Sequence, residues 1–158
     1  MVLLSLLTLP ASTHAAPPRS ARAPVLAARG AFFALSVADV EASARWYVEE
    51  LGLAVVMRTP MTSGAAVTVL EGDGLIVELI QHDDAVPLSQ AAPSVKDRFR
   101  VHGLGKAGVM VADFDGTMRR LKQRGVPFLY GPFPARGNQR ANVIIQDDSG
   151  NLIQIFGR

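Results

Sequence analysis

The stretch SVADVEASARWYVEELGL, Ser36 to Leu53, carries both a start and a stop signal for a helix. Asp39 has a short carboxylate suited to accept hydrogen bonds from the free N–H groups of a first turn, the role of an N-cap. Val40, Ala44, Tyr47, Val48 and Leu51 then follow in steps of four, three, one and three and form one apolar stripe. Gly52 stands where the chain must leave the helix through a left-handed residue. Upstream, Phe33, Leu35 and Val37 alternate with Phe32, Ala34 and Ser36, the period of two that marks a strand. The segment from Phe32 to Leu53 therefore reads as a strand running directly into a capped amphipathic helix.

The same pattern returns downstream. FFALSVADV (32–40) is matched by KAGVMVADF (106–114), so that Val37-Ala38-Asp39 recurs as Val111-Ala112-Asp113. Leu51-Gly52-Leu53 recurs as Arg124-Gly125-Val126, and GLIVELI (74–80) as GNLIQIF (150–156). Three landmarks in one order at nearly constant offset indicate a duplicated unit of roughly 75 residues. In the second copy Phe114, Met118 and Leu121 form the helix stripe, and Gly125 ends it. Three strands follow in each copy, at 53–59, 65–71 and 75–81, then at 126–130, 140–146 and 151–156. Gly72-Asp73-Gly74 and Asp147-Asp148-Ser149-Gly150 supply hairpin turns. Each unit thus reads βαβββ, and the class is α+β.

GLIVELI sets one carboxylate, Glu78, inside an apolar run, and a buried carboxylate needs a partner, a proton or a metal. Strand parity gives Glu78 a direction. Leu75, Val77 and Leu79 belong to the helix-packed face with Phe33, Leu35 and Val37, and Glu78 to the opposite one, with Phe32, Ala34, Ser36, Ile76 and Ile80. In the second copy that opposite face carries Lys106, Gly108, Met110, Leu152, Gln154 and Phe156. A face mixing apolar and polar side chains suits a ligand-binding hollow.

Composition sets the outer limits. The chain has 158 residues, 49% of them apolar and 19% charged, which fits one packed globular domain. The 16 Lys and Arg exceed the 14 Asp and Glu by only two, and no basic run interleaves with aromatics, so nucleic-acid binding is not expected. The absence of cysteine excludes disulfides, thiolate catalysis and Cys-ligated metals. MVLLSLLTLP has about the length of a signal-peptide core and is too short to span a bilayer. Small residues Thr13 and Ala15 before Ala16 suit cleavage, although no Lys or Arg precedes Arg19. Residues 1–15 are therefore expected to be a signal peptide and the location periplasmic or secreted, with a cytoplasmic protein carrying an N-terminal extension as the alternative. The Pro-, Ala- and Arg-rich stretch 16–30 reads as a linker. A single domain then occupies 31–158, with modules at 31–81 and 104–158 and a connector at 82–103.

The V-x-D at the end of the first strand, the L-G-L after the helix and DDSGNLIQIF (147–156) together resemble the vicinal oxygen chelate superfamily. That group includes glyoxalase I, extradiol dioxygenases and the bleomycin- and fosfomycin-resistance proteins. The resemblance covers residues 31–158 and implies two βαβββ modules forming a U-shaped mixed sheet around a cleft. In metal-using members it implies four ligands, His or Gln on the first strands and Glu on the last. Those positions fall on Phe32, Glu78, Lys106 and Gln154. Phe32 has no donor atom and Lys106 is a cation, which leaves Glu78 and Gln154 as the only possible ligands. A bound divalent metal is therefore disfavoured, and no cofactor is expected.

The resemblance also brings the positions of Glu78 and Lys106 together across the cleft. An ion pair with Gln154 hydrogen-bonding would satisfy all three. That cluster either merely replaces the lost metal or holds, and exchanges a proton with, a small ligand; in the second case Glu78 and Lys106 are the candidate catalytic residues. The candidate ligand-binding set is Phe32, Ser36, Glu78, Lys106, Met110, Arg136, Arg140, Gln154 and Phe156. Arg136 and Arg140 enter it because GPFPARGNQR (131–140) is a Pro- and Gly-rich loop placed to meet a carboxylate or phosphate. His102 and His82 read as solvated loop and strand-end residues, and Tyr47 as helix packing.

Three functions follow in order. The first is a metal-independent protein binding a small organic molecule. The second is a metal-dependent lyase, isomerase or dioxygenase of glyoxalase type, with His102 supplying a nitrogen ligand. The third is an interaction module whose cleft is closed by its own side chains. The expected partner is a small molecule, with no nucleic acid and no membrane span, and the chain is a monomer or a homodimer.

Overall fold

In the computed structural model, residues 32–158 are described, so the expected signal segment and linker lie outside the described residues. Strand β1 (Phe32–Ser36) leads through Asp39 into helix α1 (Val40–Trp46). The Asp39 carboxylate accepts hydrogen bonds from the N–H groups of Glu41 and Ala42 at 3.0 and 2.9 Å, the capping role its side chain suggested. Tyr47–Leu51 continue as a turn of π-helix, which Gly52 ends in the left-handed region at φ 76°. Strands β2 (Ala54–Thr62), β3 (Ala65–Gly72) and β4 (Leu75–His82) complete the first module. Their hairpins turn on Ser63-Gly64 and Asp73-Gly74, all four residues at positive φ, as tight two-residue turns require.

The connector holds two short elements that its weak periodicity concealed: helix α2 (Leu88–Ala91) and a 3-10 turn at Arg98–Arg100. The second module repeats the first. Strand β5 (Ala107–Val111) leads into helix α3 (Phe114–Gln123), capped by Asp113. Strands β6 (Phe128–Phe133), β7 (Asn142–Gln146) and β8 (Leu152–Gly157) follow. The two sheets have matching orders, β1-β4-β3-β2 and β5-β8-β7-β6, each with one parallel pair, β1 with β4 and β5 with β8. The fold is the expected pair of tandem βαβββ modules.

Two details differ from the sequence reading. Val48 falls on the expected buried stripe but is exposed, because the π-helical turn, with more residues per turn, narrows the angular step after Trp46 and takes Val48 off that stripe. Strand β6 begins at Phe128 rather than Val126, whose side chain is spent in the core before pairing starts.

The helix-packed faces of both sheets meet in one continuous core. Leu35, Val77, Leu79 and Tyr47 from the first module share it with Met118, Leu121, Val143, Ile145 and Ile153 from the second. Each buried Leu or Ile there contributes about 1.5–3 kcal/mol relative to exposure. The sheets remain two separate four-stranded ladders, so helices and side chains join the modules. Tyr47 donates to Asp147 at 2.9 Å, Ser43 to Asp148 at 2.8 Å, and Arg124 to the Glu50 carbonyl at 2.8 Å.

Candidate functional site

Strand parity decides what each sheet presents away from the core. In β1 only Leu35 is fully buried, between exposed Ala34 and Ser36, and in β4 buried Val77 and Leu79 bracket Glu78. Glu78 lies beside Ala34 on one side and Val69 on the other, half-buried, on the face opposite α1. The apolar run thus buries one face and leaves the other open to Glu78. Phe32 at the head of β1 is 64% exposed and Ile76 is also exposed. Ser36 is exposed, and its carbonyl accepts a hydrogen bond from the Asn151 amide at 3.3 Å.

On the second sheet the corresponding face carries Met110, 63% exposed, with Gln154 and Phe156 half-buried. Lys106 precedes β5 and is exposed, its ammonium 5.9 Å above the Phe99 ring. The expected Glu78–Lys106 ion pair does not form, and Gln154 instead donates to the Asn142 side chain at 2.9 Å. The reason is local. Lys106 stands outside the strand, where the Phe99 ring brought by the connector attracts it, while solvent reaches the Glu78 carboxylate and removes its need for a partner.

One end of this second face is concave. Phe133, Pro134, Arg136, Asn138, Gln139, Arg140, Asn142 and Phe156 line a hollow of about 680 Å³. Phe133 closes β6, while Asn142 and Phe156 are cross-strand partners on β7 and β8. The wall is the 134–141 segment, folded back on itself by paired backbone hydrogen bonds between Arg136 and Gln139. Asn142 ties this wall to the sheet: its amide donates to the Arg140 carbonyl at 3.1 Å while its oxygen receives Gln154. Arg140 itself lies with one guanidinium nitrogen 3.8 Å from the Met110 sulfur. Of the nine candidate residues the structure thus gathers Met110, Arg136, Arg140, Gln154 and Phe156 around one end of the second sheet. Phe32, Ser36 and Glu78 sit together on the first sheet, and Lys106 stands apart from both.

A second polar centre was not legible as one. Asp147 is 6% exposed and accepts from the Tyr47 hydroxyl, the N–H groups of Ser149 and Asn151, and the Asn151 side chain. Burial pushes its carboxyl above the usual aspartate range, while the Asn151 and Tyr47 hydrogen bonds pull the other way. Burial, and then the charge on Asp147, push the Tyr47 phenol far above its ordinary value, so Tyr47 is the donor of the pair. The DDSGN run read correctly as a turn; that its first Asp would meet a tyrosine 100 residues earlier depended on how the modules pack.

The donor chemistry at the four family ligand positions does not suit a divalent metal. Phe32 offers no donor, Lys106 a cation, and Glu78 and Gln154 one carboxylate and one amide on separate sheets. Among the described residues no group of three His, Asp or Glu side chains converges, so exposed His102 does not complete a set with Glu78.

A duplicated βαβββ chain with one open face per sheet defines the class of fold. Residues 30–155 match the family model of the Glyoxalase/Bleomycin resistance protein/Dioxygenase superfamily, and the chain belongs to that family. Solved structures share the fold at low identity. A glyoxylase/bleomycin resistance protein/dioxygenase domain from Frankia sp. EAN1pec aligns with TM-score 0.64 and 19% identity over 84% of this chain and 92% of its own. A glyoxalase family protein from Enterococcus faecalis gives 0.65 and 16% over 79% and 94%. TnmS3, an antibiotic binding protein from Streptomyces sp. CB03234, gives 0.56 and 21% over 82% and 95%. A search of curated proteins found no match. No helix among the described residues is long and apolar enough to cross a membrane.

Proposed function

We propose that this chain binds a small organic molecule on the open faces of its sheets, seated in the hollow of the second module, and does so without a catalytic metal. The observation that carries this reading is the hollow itself: about 680 Å³, within the size range of small-molecule sites, with two phenylalanines and two arginines in its lining. Phe32, Ser36 and Glu78 supply further contact surface from the first module. The antibiotic-binding neighbour supports a binding role for the fold, and the exposure of Phe32 and Met110 argues against a cleft filled by its own side chains. The poor donor set disfavours the metal-dependent lyase or dioxygenase. A stoichiometric divalent ion in protein purified without chelators, lost in Glu78→Ala, would reverse that order.

Titration with the neutral fluorophore N-phenyl-1-naphthylamine tests the binding role. Saturable enhancement is expected, with Phe156→Ala weakening it about tenfold, or ~1.4 kcal/mol. No enhancement with this dye or with an anionic relative of it, or enhancement unmoved by Phe156→Ala, would remove the hollow as the seat of binding.

Two further parts belong to this reading. Export rests on the apolar run 1–10 and the small residues Thr13 and Ala15; N-terminal sequencing of protein from its host would then begin at Ala16. Assembly as a homodimer is favoured over a monomer, because apolar side chains stand exposed on both open faces. Phe32 and Ile76 stand exposed on one face and Met110 on the other.

A further inference from the structure

We propose that the molecule this site takes is an aromatic anion: a flat apolar ring system bearing a carboxylate, sulfonate or phosphate. This rests on the reading that the second module's hollow is the ligand seat, and it names the class of ligand that seat selects.

The charge of the hollow is one-sided. Its lining includes Arg136 and Arg140 and no carboxylate. Among the described residues the ion pairs are Arg58 with Glu41 and Arg120 with Asp113, so neither hollow arginine is paired with an acid. Among the described residues the Arg140 guanidinium has one hydrogen-bond partner, the Met110 sulfur, a weak acceptor that leaves its other donors unspent. The smaller hollow that Arg140 also lines differs: it includes an acid, Asp115, beside Arg140 and Arg158.

The backbone that carries the arginines is also held in advance of any ligand. Arg136 and Gln139 exchange backbone hydrogen bonds of 3.0 and 2.9 Å around a two-residue turn that begins at Gly137, φ 54°. The Arg140 carbonyl is fixed by Asn142, which Gln154 holds in turn. Little backbone ordering therefore remains to oppose binding. The same hollow is also lined by Phe133, 49% exposed, and half-buried Phe156. A neutral aromatic would cover these rings and displace water from two arginines that then lack acceptors. A bare inorganic anion would satisfy the arginines and leave the rings wet. A ring carrying an acid does both at once, with charge-assisted hydrogen bonds at one end and stacking at the other.

Two probes that share one skeleton separate the parts. 8-Anilino-1-naphthalenesulfonate is N-phenyl-1-naphthylamine with a sulfonate added. At low salt the sulfonate is expected to bind at least about tenfold tighter than the neutral dye, a step of ~1.4 kcal/mol. That ratio should fall toward one in Arg136→Gln and Arg140→Gln, and on raising salt. 2-Naphthoate should displace the bound sulfonate, and inorganic phosphate at equal concentration should not. Circular-dichroism melts of the two variants, which alter exposed side chains, establish that the fold is kept. Equal affinity for both dyes, or a ratio unmoved by the arginine substitutions, would overturn the anion while leaving the ligand seat intact. Displacement by phosphate as readily as by naphthoate would overturn the aromatic half. Binding of neither dye would remove the seat itself.

Discussion

At the scale of single residues, Asp147 and Tyr47 hold the most consequential contact between the modules. Tyr47→Phe removes the hydroxyl that reaches a 6%-exposed carboxylate, and leaving such an acceptor short of a donor costs about 1–3 kcal/mol. Urea unfolding of the variant measures this; a loss near zero would mean that water replaces the hydroxyl. The raised Asp147 carboxyl also sets a sign for pH. Both folded and unfolded states are protonated in strong acid, where the contribution is fully present. As pH rises through the raised folded value the buried group must ionise, and that stability is lost. Asp147→Asn cannot ionise there, so its stability relative to wild type is expected to improve as pH rises above the ordinary aspartate range. A difference that stays flat or moves the other way would contradict burial as the dominant influence on this group.

At the scale of elements, the first helix shows how a local irregularity steers a stripe. The π-helical turn Tyr47–Leu51 keeps Tyr47 buried, swings Val48 outward and delivers the chain to Gly52 in the left-handed region. Gly52→Ala has space for its methyl group, with the Arg124 guanidinium 3.7 Å away, so its cost is that of the backbone conformation, about 1–2 kcal/mol. Thermal denaturation reads that loss, and an unchanged midpoint would show that the helix can end another way. The wall of the hollow is a second case. Pro and Gly in GPFPARGNQR indicated a loop, and the loop does line the hollow, but its rigidity comes from the Arg136–Gln139 pairing and from Asn142. Asn142→Ala is expected to loosen that wall, weakening 8-anilino-1-naphthalenesulfonate several-fold at little cost in folding stability; equal affinity would show that the wall stands without it.

For the whole molecule, the core lies on the helix-packed faces and the opposite faces remain open. Phe32, Ile76, Met110 and Phe133 are exposed on them, more apolar surface than scattered side chains require. The homodimer reading makes a direct demand: analytical ultracentrifugation at micromolar concentration should find a dimer, and Met110→Glu should shift it toward monomer. A wild-type monomer at that concentration would sink it. Because Met110 also touches Arg140, the same variant should disturb dye binding, which links assembly to the ligand seat.

The sequence by itself determined the duplication, the class of fold and the face of most strand residues, though Leu152, expected on the open face, is buried. Those follow from periodicity and capping chemistry, which act within a few residues: Asp39, Gly52 and the alternation through Leu75–Ile80 were sufficient. What only the tertiary structure decided lies between segments far apart in the chain. Tyr47 meets Asp147, Lys106 turns to Phe99 instead of Glu78, and Asn142 with Gln154 braces the arginine wall. Parity states which way a side chain points but not how far away the next surface stands. That distance depends on the packing of two modules whose contacts leave no periodic trace in either.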